Sequence, residues 1–296
     1  MILVVGGTGR LGRVLVPMLV RGGHRVRVMA RGSSQPFPEP AGDGVEIVVG
    51  DVASAGDCAR AAAGCTAVVF AASGFGIKDE NPRDVDRDGA LRVVRAAAEA
   101  GVEHVIMMSM HGAAPDAPLE YLRCKAAAEE SARGSGMSWS IIRIGSLLEQ
   151  RLATITAPLE SRNTVLVFGS GTVPVTYTSV KDAGGVVVRA LADPALRNRV
   201  TIWGSETHTG GELAEAVLTR VGHGSIRRIP VGALRTLSVV ARPFSPFLAR
   251  ITGAARWEES GRAAFDVAAG RAQFPDIPIT GLPAALDAMA VPGGPR

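Results

Sequence analysis

The first twelve residues constrain this chain more than any others. Met1-Ile-Leu-Val-Val-Gly-Gly-Thr-Gly-Arg-Leu-Gly12 is an apolar run that ends in glycines at Gly6, Gly9 and Gly12. Val14, Leu15, Met18 and Leu19 follow at helical spacing. A buried strand passing through a tight glycine turn into a helix N-terminus is the arrangement that holds a dinucleotide pyrophosphate. Backbone N–H groups and the positive end of the helix dipole face the phosphates, and missing side chains let them approach. The spacing is GxxGxxG, and in a chain with 36 glycines its weight comes from its place between strand and helix. The apolar run is short and no basic segment precedes it, so a secretory signal is not expected.

Strand-like runs then alternate with helical patterns. The runs are Ile2–Val5, Arg25–Ala30, Val45–Val49, Ala67–Ala71, His104–Ser109 and Ser138–Ile144, followed by Thr164–Phe168 and Val200–Trp203. Helical patterns cover Gly12–Arg21, Asp57–Ala63, Asp84–Ala100 and Leu119–Ser135. Gln35–Gly44, Gly74–Pro82 and Gly112–Pro118 read as loops. Such alternation predicts βαβ units. The expected fold is α/β, a Rossmann-type doubly wound parallel sheet with a smaller C-terminal substrate lobe. From about Ser205 the pattern changes to a helix over Thr209–Val221, a short strand at Arg227–Pro230 and helices over Val231–Thr252 broken by Pro243 and Pro246. The expected division is residues 1–203 for the nucleotide-binding domain and 204–296 for the substrate lobe, with contributions from 147–162.

Composition excludes several classes. Apolar residues make up 47% and charged residues 20%, and no apolar stretch approaches the roughly 20 residues of a membrane helix. A net charge of +4 without clustered basic residues speaks against nucleic acid. Cys58, Cys65 and Cys124 lack metal-ligand spacing, and their odd number fits a reduced cytoplasm. No metal, nucleic-acid or membrane partner is expected. The expected partner is a small-molecule substrate, bound by a monomer or homodimer.

Strand ends carry the coenzyme signals. An acid after the second strand would take a ribose 2′-hydroxyl, whereas an arginine would pair with a 2′-phosphate. This chain has Arg31 there, 19 residues after Gly12, with Ser33 and Ser34 beside it. NADP is therefore expected over NAD, with Arg10 able to add a second cation. Asp51 could accept from the adenine amino group and Val52 could cover the ring, although Asp51 could equally cap the next helix. Ala71, Ala72 and Ser73 are small enough for a ribose to lie against their backbone. With Gly6, Thr8, Gly9, Arg10, Leu11 and Gly12 these form the expected coenzyme site.

The chain has two tyrosines and three lysines, and both tyrosines have a lysine four residues on. Tyr121 and Lys125 lie in a strong helix former and so share a face. Tyr177 lies in an extended stretch, where Ser179 and Asp182 form a capping-box-like start to the next helix, so Lys181 points elsewhere. Reducing a carbonyl takes hydride at carbon and a proton at oxygen. A phenol beside an ammonium can give that proton, and the lysine can also hold the nicotinamide ribose. Ser109, at the end of the fifth strand, is placed to hydrogen-bond the substrate oxygen. The expected catalytic residues are Ser109, Tyr121 and Lys125, with His111 a further candidate for substrate contact.

Gly6–Gly12, Asp51-Val52, Ser109 and Tyr121-x-x-x-Lys125 together resemble the short-chain dehydrogenase/reductase superfamily. More narrowly the chain is similar to its atypical, NmrA-like NAD(P)H-binding branch. Ser135–Gly145, Phe168-Gly-Ser-Gly and Val180-Lys-Asp-Ala183 also resemble that branch. The likeness covers roughly residues 1–191. It implies a sheet in the order 3-2-1-4-5-6-7, an NADP cofactor and a Ser/Tyr/Lys site at Ser109, Tyr121 and Lys125. Two positions depart from it: Asp86 stands where the extended members often carry Asn, and Ile144 follows Arg143 where they carry Pro.

The leading expectation is an NADP(H)-dependent oxidoreductase, a ketoreductase type acting on a carbonyl or an activated double bond of a small hydrophobic molecule. An aromatic or polyketide-like ketone fits better than a charged sugar nucleotide, because Val231–Phe247 is apolar and proline-broken, as a lid would be. The alternatives are a non-catalytic NADP(H)-sensing regulator and a nucleotide-sugar epimerase or dehydratase. For the latter the C-terminal region offers only Arg227, Arg228 and Arg235 against a diphosphate. Arg242–Arg256 reads as a lid or core helix ahead of an amphipathic surface helix touching a membrane or partner.

Overall fold

In the computed structural model, which describes residues 1–32 and 44–289, seven of the eight strand-like runs become strands of one seven-stranded parallel sheet. The chain begins with β1 (Ile2–Val5), α1 (Arg10–Arg21), β2 (Val26–Ala30), β3 (Val45–Val49), α2 (Ala55–Ala62) and β4 (Ala67–Phe70). A π-helical turn over Arg83–Gly89 runs into α3 (Ala90–Glu99), then β5 (His104–Met110), α4 (Glu120–Arg133) and β6 (Ser138–Ile144). The sheet order is β10-β6-β5-β4-β1-β2-β3, where β10 is Arg199–Trp203. That is the implied 3-2-1-4-5-6-7 order. The parallel registers Val5↔Met29 and Val5↔Phe70 set β1 centrally between β2 and β4.

By its contacts the chain divides into two compact units: Met1–Arg143 with Ala183–Ile202, and Ile144–Asp182 with Trp203 onward. In the first unit Leu3, Val5, Phe70, Val93, Met107 and Ile141 are fully buried in one core. Burying a side chain of this size contributes about 1.5–3 kcal/mol. On the sheet's helical layers α2, α3 and α4 touch in a row. Elsewhere α1 meets the helix Val180–Ala192 at Gly184, where a Cβ would lie 2.9 Å from Met18 Sδ. These two groups of helices, α2 to α4 in one and α1 with the helix Val180–Ala192 in the other, make the sheet doubly wound.

The second unit holds β7 (Ser146–Leu147), α5 (Leu148–Thr156), α6 (Leu159–Arg162), β8 (Thr164–Phe168) and β9 (Pro174–Thr178). The helix Val180–Ala192, which starts in this unit and continues in the first, is α7. After β10 come β11 (Glu206–Thr209), α8 (Gly210–Val221), β12 (Ser225–Ile229), α9 (Val231–Val240), α10 (Pro246–Glu258), α11 (Ala268–Gln273) and α12 (Leu282–Asp287). β9 pairs antiparallel with β11 and parallel with β7, while β8 pairs parallel with β12. Thr164–Phe168 therefore belongs to a separate two-stranded sheet. The unit draws on 144–182, more chain than the 147–162 stretch read from sequence.

One local expectation is corrected here. Asp182 does not close a capping box with Ser179. Its carboxylate accepts from Ser205 Oγ at 2.6 Å and from the Thr280 N–H. Glu149 instead takes the Ser179 hydroxyl at 2.8 Å and the Val180 N–H, satisfying the start of α7. The box that does form is Thr209 with Glu212, at the head of α8.

Candidate active site

The glycine turn is built so that side chains cannot occupy it. Gly6 sits at φ +87°, and a Cβ there would lie 2.6 Å from Ala72 N. A Cβ on Gly12 would lie 2.4 Å from Gly6 O and from Gly7 O. Gly9 is the N-cap of α1 with no capping side chain, and the first turn carries no acid. The helix N-terminus carries neither a capping side chain nor an acid against its dipole, which fits a pyrophosphate. Arg10 opens the helix on the exposed side, Leu11 is buried beneath it, and Thr8 O accepts from Arg13 Nε at 3.0 Å.

The neighbouring strand ends lie where the sequence puts them, with additions. Arg31 is half-exposed and forms an ion pair with Glu80 from the loop after β4. Since β1 lies between β2 and β4, this pair crosses the carboxyl end of β1. Ser33 and Ser34 lie outside the described residues. Asp51 Oδ1 accepts from Ala53 N at 2.8 Å, and Ser54, not Asp51, caps α2. Val52 packs against Gly89, where a Cβ would lie 2.7 Å from Val52 Cγ2. Ala71 N donates to Val5 O at 2.8 Å, which holds Ala71 and Ala72 against Gly6.

From Ser73 the site continues to the tyrosine. Ser73 acts on the Tyr121 phenol to favour its ionised form, and Phe75 lies against its ring at 4.6 Å between centroids. Lys125 Nζ is 5.6 Å from that ring centroid, as the shared helix face requires. The ammonium is buried, 2.9 Å from Asp86 Oδ1, and donates to Met108 O at 3.2 Å. Asp86 is also buried and takes the Gly74 N–H at 2.9 Å on its other oxygen. Asp86 belongs to the π-helical turn, a departure from regular winding often found at functional sites.

These contacts set the charges. Burial works against the Lys125 ammonium, but Asp86 and then Tyr121 hold its pKa above the ordinary lysine value. Burial pushes the Tyr121 phenol up; Lys125 opposes this and Asp86 reinforces it, so the phenol stays protonated past its usual range. The lowering by Lys125 is present but outweighed.

Ser109 is not brought into this cluster. Its buried hydroxyl donates to Glu129 Oε1 at 2.5 Å. Glu129 also receives Arg143 at 2.8 and 2.7 Å and Arg133 at 3.0 Å. Burial would raise its pKa, but the hydrogen bonds from Arg143 and Ser109 leave it lowered. His111, half-buried, is held below the ordinary histidine value by burial and then by Arg143. Sequence reasoning missed Glu129 although its spacing was available: Tyr121, Lys125 and Glu129 recur at intervals of four on one helix face.

The second tyrosine has a different environment. Tyr177 is 1% exposed on β9, and burial pushes its pKa up to about 12 against the opposing charge of Arg151. Arg151 pairs with Glu258, which Ser146 Oγ also contacts at 3.1 Å. Burial raises all three cysteines, Cys124 to about 11, so none offers a thiolate near neutrality. Among the described residues no three His, Cys, Asp or Glu side chains group as metal ligands, and no helix is long and apolar enough to cross a membrane.

Comparison with known proteins now decides the family. A profile described as NAD(P)H-binding matches residues 6–194. The chain belongs to this NAD(P)H-binding family. It is 29% identical over 223 residues to an NAD(P)H azoreductase of Xenophilus azovorans, covering 75% of this chain and 74% of that one. It is 30% identical over 247 residues to the (4-alkanoyl-5-oxo-2,5-dihydrofuran-3-yl)methyl phosphate reductase of Streptomyces griseus subsp. griseus, covering 82% of each. It is also 25% identical over 245 residues to the photosystem II assembly factor Ycf39 of Synechocystis, covering 82% of this chain and 74% of that one.

Solved structures share the fold. A nucleoside-diphosphate-sugar epimerase of Staphylococcus aureus superposes with a TM-score of 0.80 at 18% identity, over 96% of this chain and 99% of that one. The quinone oxidoreductase QOR2 of Escherichia coli, complexed with NADPH, gives 0.78 at 17% identity, over 97% and 99%. The expected NmrA-like, NAD(P)H-binding family and Rossmann-like fold are both borne out. The named enzyme relatives make oxidoreductase chemistry the common theme.

Proposed function

We propose that this protein is an NADP(H)-dependent oxidoreductase that reduces the carbonyl, or an activated double bond, of a small apolar organic molecule. Bound NADPH supplies the hydride. The observation that carries the reading is the Tyr121 phenol, packed against Phe75 and beside the buried Lys125–Asp86 pair, with Ser73, one residue beyond the Ala71–Ala72 backbone that closes on Gly6, favouring its ionised form.

Tyr121 is the proton donor. It keeps its proton through the neutral range and meets an oxygen that gains negative charge only during the reaction, when a donor gains most. The phenolate left behind is stabilised by the Lys125 ammonium and the Ser73 hydroxyl. Asp86 keeps that ammonium charged and in place. Ser109 is left out of the relay, because its hydroxyl is committed to Glu129. The Gly6–Gly12 turn would hold the pyrophosphate, Arg31 the 2′-phosphate, and Asp51 with Val52 the adenine. Arg31 must exchange Glu80 for that phosphate.

The test is NADPH oxidation followed against ketones, quinones, enones and azo compounds. Turnover on any of these classes is expected. The match to an assembly factor supports a second reading, in which coenzyme occupancy serves a protein partner. NADPH binding in the micromolar range with no turnover across the panel would overturn the first reading in favour of the second.

A further inference from the structure

We infer that the tip between α9 and α10 is a docking surface for an anionic lipid bilayer. The second unit carries an outward surface of unusual composition there. Val239 and Val240 are 55% and 58% exposed, and Phe244 is 86% exposed in the turn that follows. Val231 and Leu248 are exposed on either side. α9 buries Leu234 and Ser238 against the unit, which leaves Val231, Arg235 and Val239, at intervals of four, on its outward face. Arg242 is exposed at the end of that face and donates to the Ser238 carbonyl.

Charge identifies the occupant. From Ser225 to Trp257 there are six arginines and not one Asp or Glu. Arg227, Arg228, Arg235, Arg242 and Arg256 pair with no carboxylate among the described residues. Large apolar side chains alternating with unpaired arginines along one short helical hairpin are what a surface of headgroup phosphates over acyl chains would recognise. An arginine can lay its stem along apolar groups and its guanidinium on a phosphate. A globular apolar partner would not need the cations, and an acidic soluble partner would not need an 86%-exposed phenylalanine. Neither helix crosses a bilayer; the hairpin lies on it. From the sequence a lid or core helix is favoured here over a surface helix touching a membrane or partner, and the exposure of the tip is what changes that.

The experiment is flotation of the purified full chain with vesicles of phosphatidylcholine containing about one-third phosphatidylserine, and with phosphatidylcholine alone. Binding to the anionic vesicles at least about tenfold stronger than to the neutral ones is expected, lost as salt is raised, since each arginine near such a surface contributes roughly fivefold. Val240→Glu with Phe244→Glu should abolish flotation while leaving the circular dichroism spectrum and NADPH binding unchanged. Arg235→Gln with Arg242→Gln should weaken it at least about tenfold. No flotation of the wild-type protein, or flotation indifferent to these substitutions, overturns the proposal. So does a wild-type dimer that the Glu substitutions convert to a monomer, since the surface would then belong to a second copy.

Discussion

His104 shows how a single buried side chain can impose a pH limit on the fold. It lies on β5 with its ring 2.9 Å from Ser140 Oγ, and burial followed by Arg197 lowers its pKa to about 4. The unfolded chain takes up this proton near pH 6.5 and the folded chain only near 4, so stability falls as pH drops across that window. The loss should approach about 3 kcal/mol. Urea titrations at pH 7 and pH 4.5 should show it, and His104→Gln should flatten the difference; an undiminished pH dependence in the variant would assign it to other groups. Arg31 makes the second prediction at this scale. Arg31→Asp should weaken NADPH by about 10–100-fold while sparing NADH, as loss of a charge-assisted contact implies. Glu80→Gln should tighten NADPH only a few-fold, because a half-exposed pair is worth under about 1 kcal/mol. Fluorescence titration of both coenzymes checks each variant. Arg31 was legible from its place after the second strand, whereas Glu80 was not, since nothing in its own segment marks a partner on the far side of β1.

Among the elements, the glycine turn was the most legible because sterics leave it few alternatives. Gly12→Ala puts a Cβ 2.4 Å from backbone that cannot yield, whereas at Gly9 the nearest atom is 3.2 Å away. Gly12→Ala should therefore abolish coenzyme binding and cost about 1–3 kcal/mol or more, with Gly9→Ala clearly milder. Calorimetric titration with thermal unfolding separates the two; equal effects would mean that close packing is not what the turn requires. The helix after β4 was less legible. Its apolar spacing reads as one helix over 84–100, but the first turn is π-helical and carries Asp86 inward to Lys125 and Gly74. A pattern that assumes a 3.6 period does not register that extra residue. Asp86 was noticed only as a departure from the family, and its role needed the fold. The surroundings of Ser109 needed the fold for a related reason: its strand-end position was legible, but a strand end does not reveal that a buried carboxylate waits on the adjacent helix.

Across the whole molecule, legibility followed local repetition. In the first unit parallel strands alternate with helices, and each buried run announces itself. The second unit gathers short strands from separated parts of the chain, β9 between β7 and β11 and β8 beside β12, and such pairing leaves little periodic trace. Saturating NADPH should raise the melting temperature, since ligand at roughly a hundred times Kd adds about 2.7 kcal/mol. Differential scanning calorimetry with NADPH and with NADH should show the larger shift for NADPH, through Arg31. The central claim is that the Tyr121 phenol gives its proton to a substrate reduced by this coenzyme. Tyr121→Phe tests it most directly: kcat should fall at least about a hundredfold with NADPH affinity nearly unchanged, and a variant as active as the wild type would contradict it.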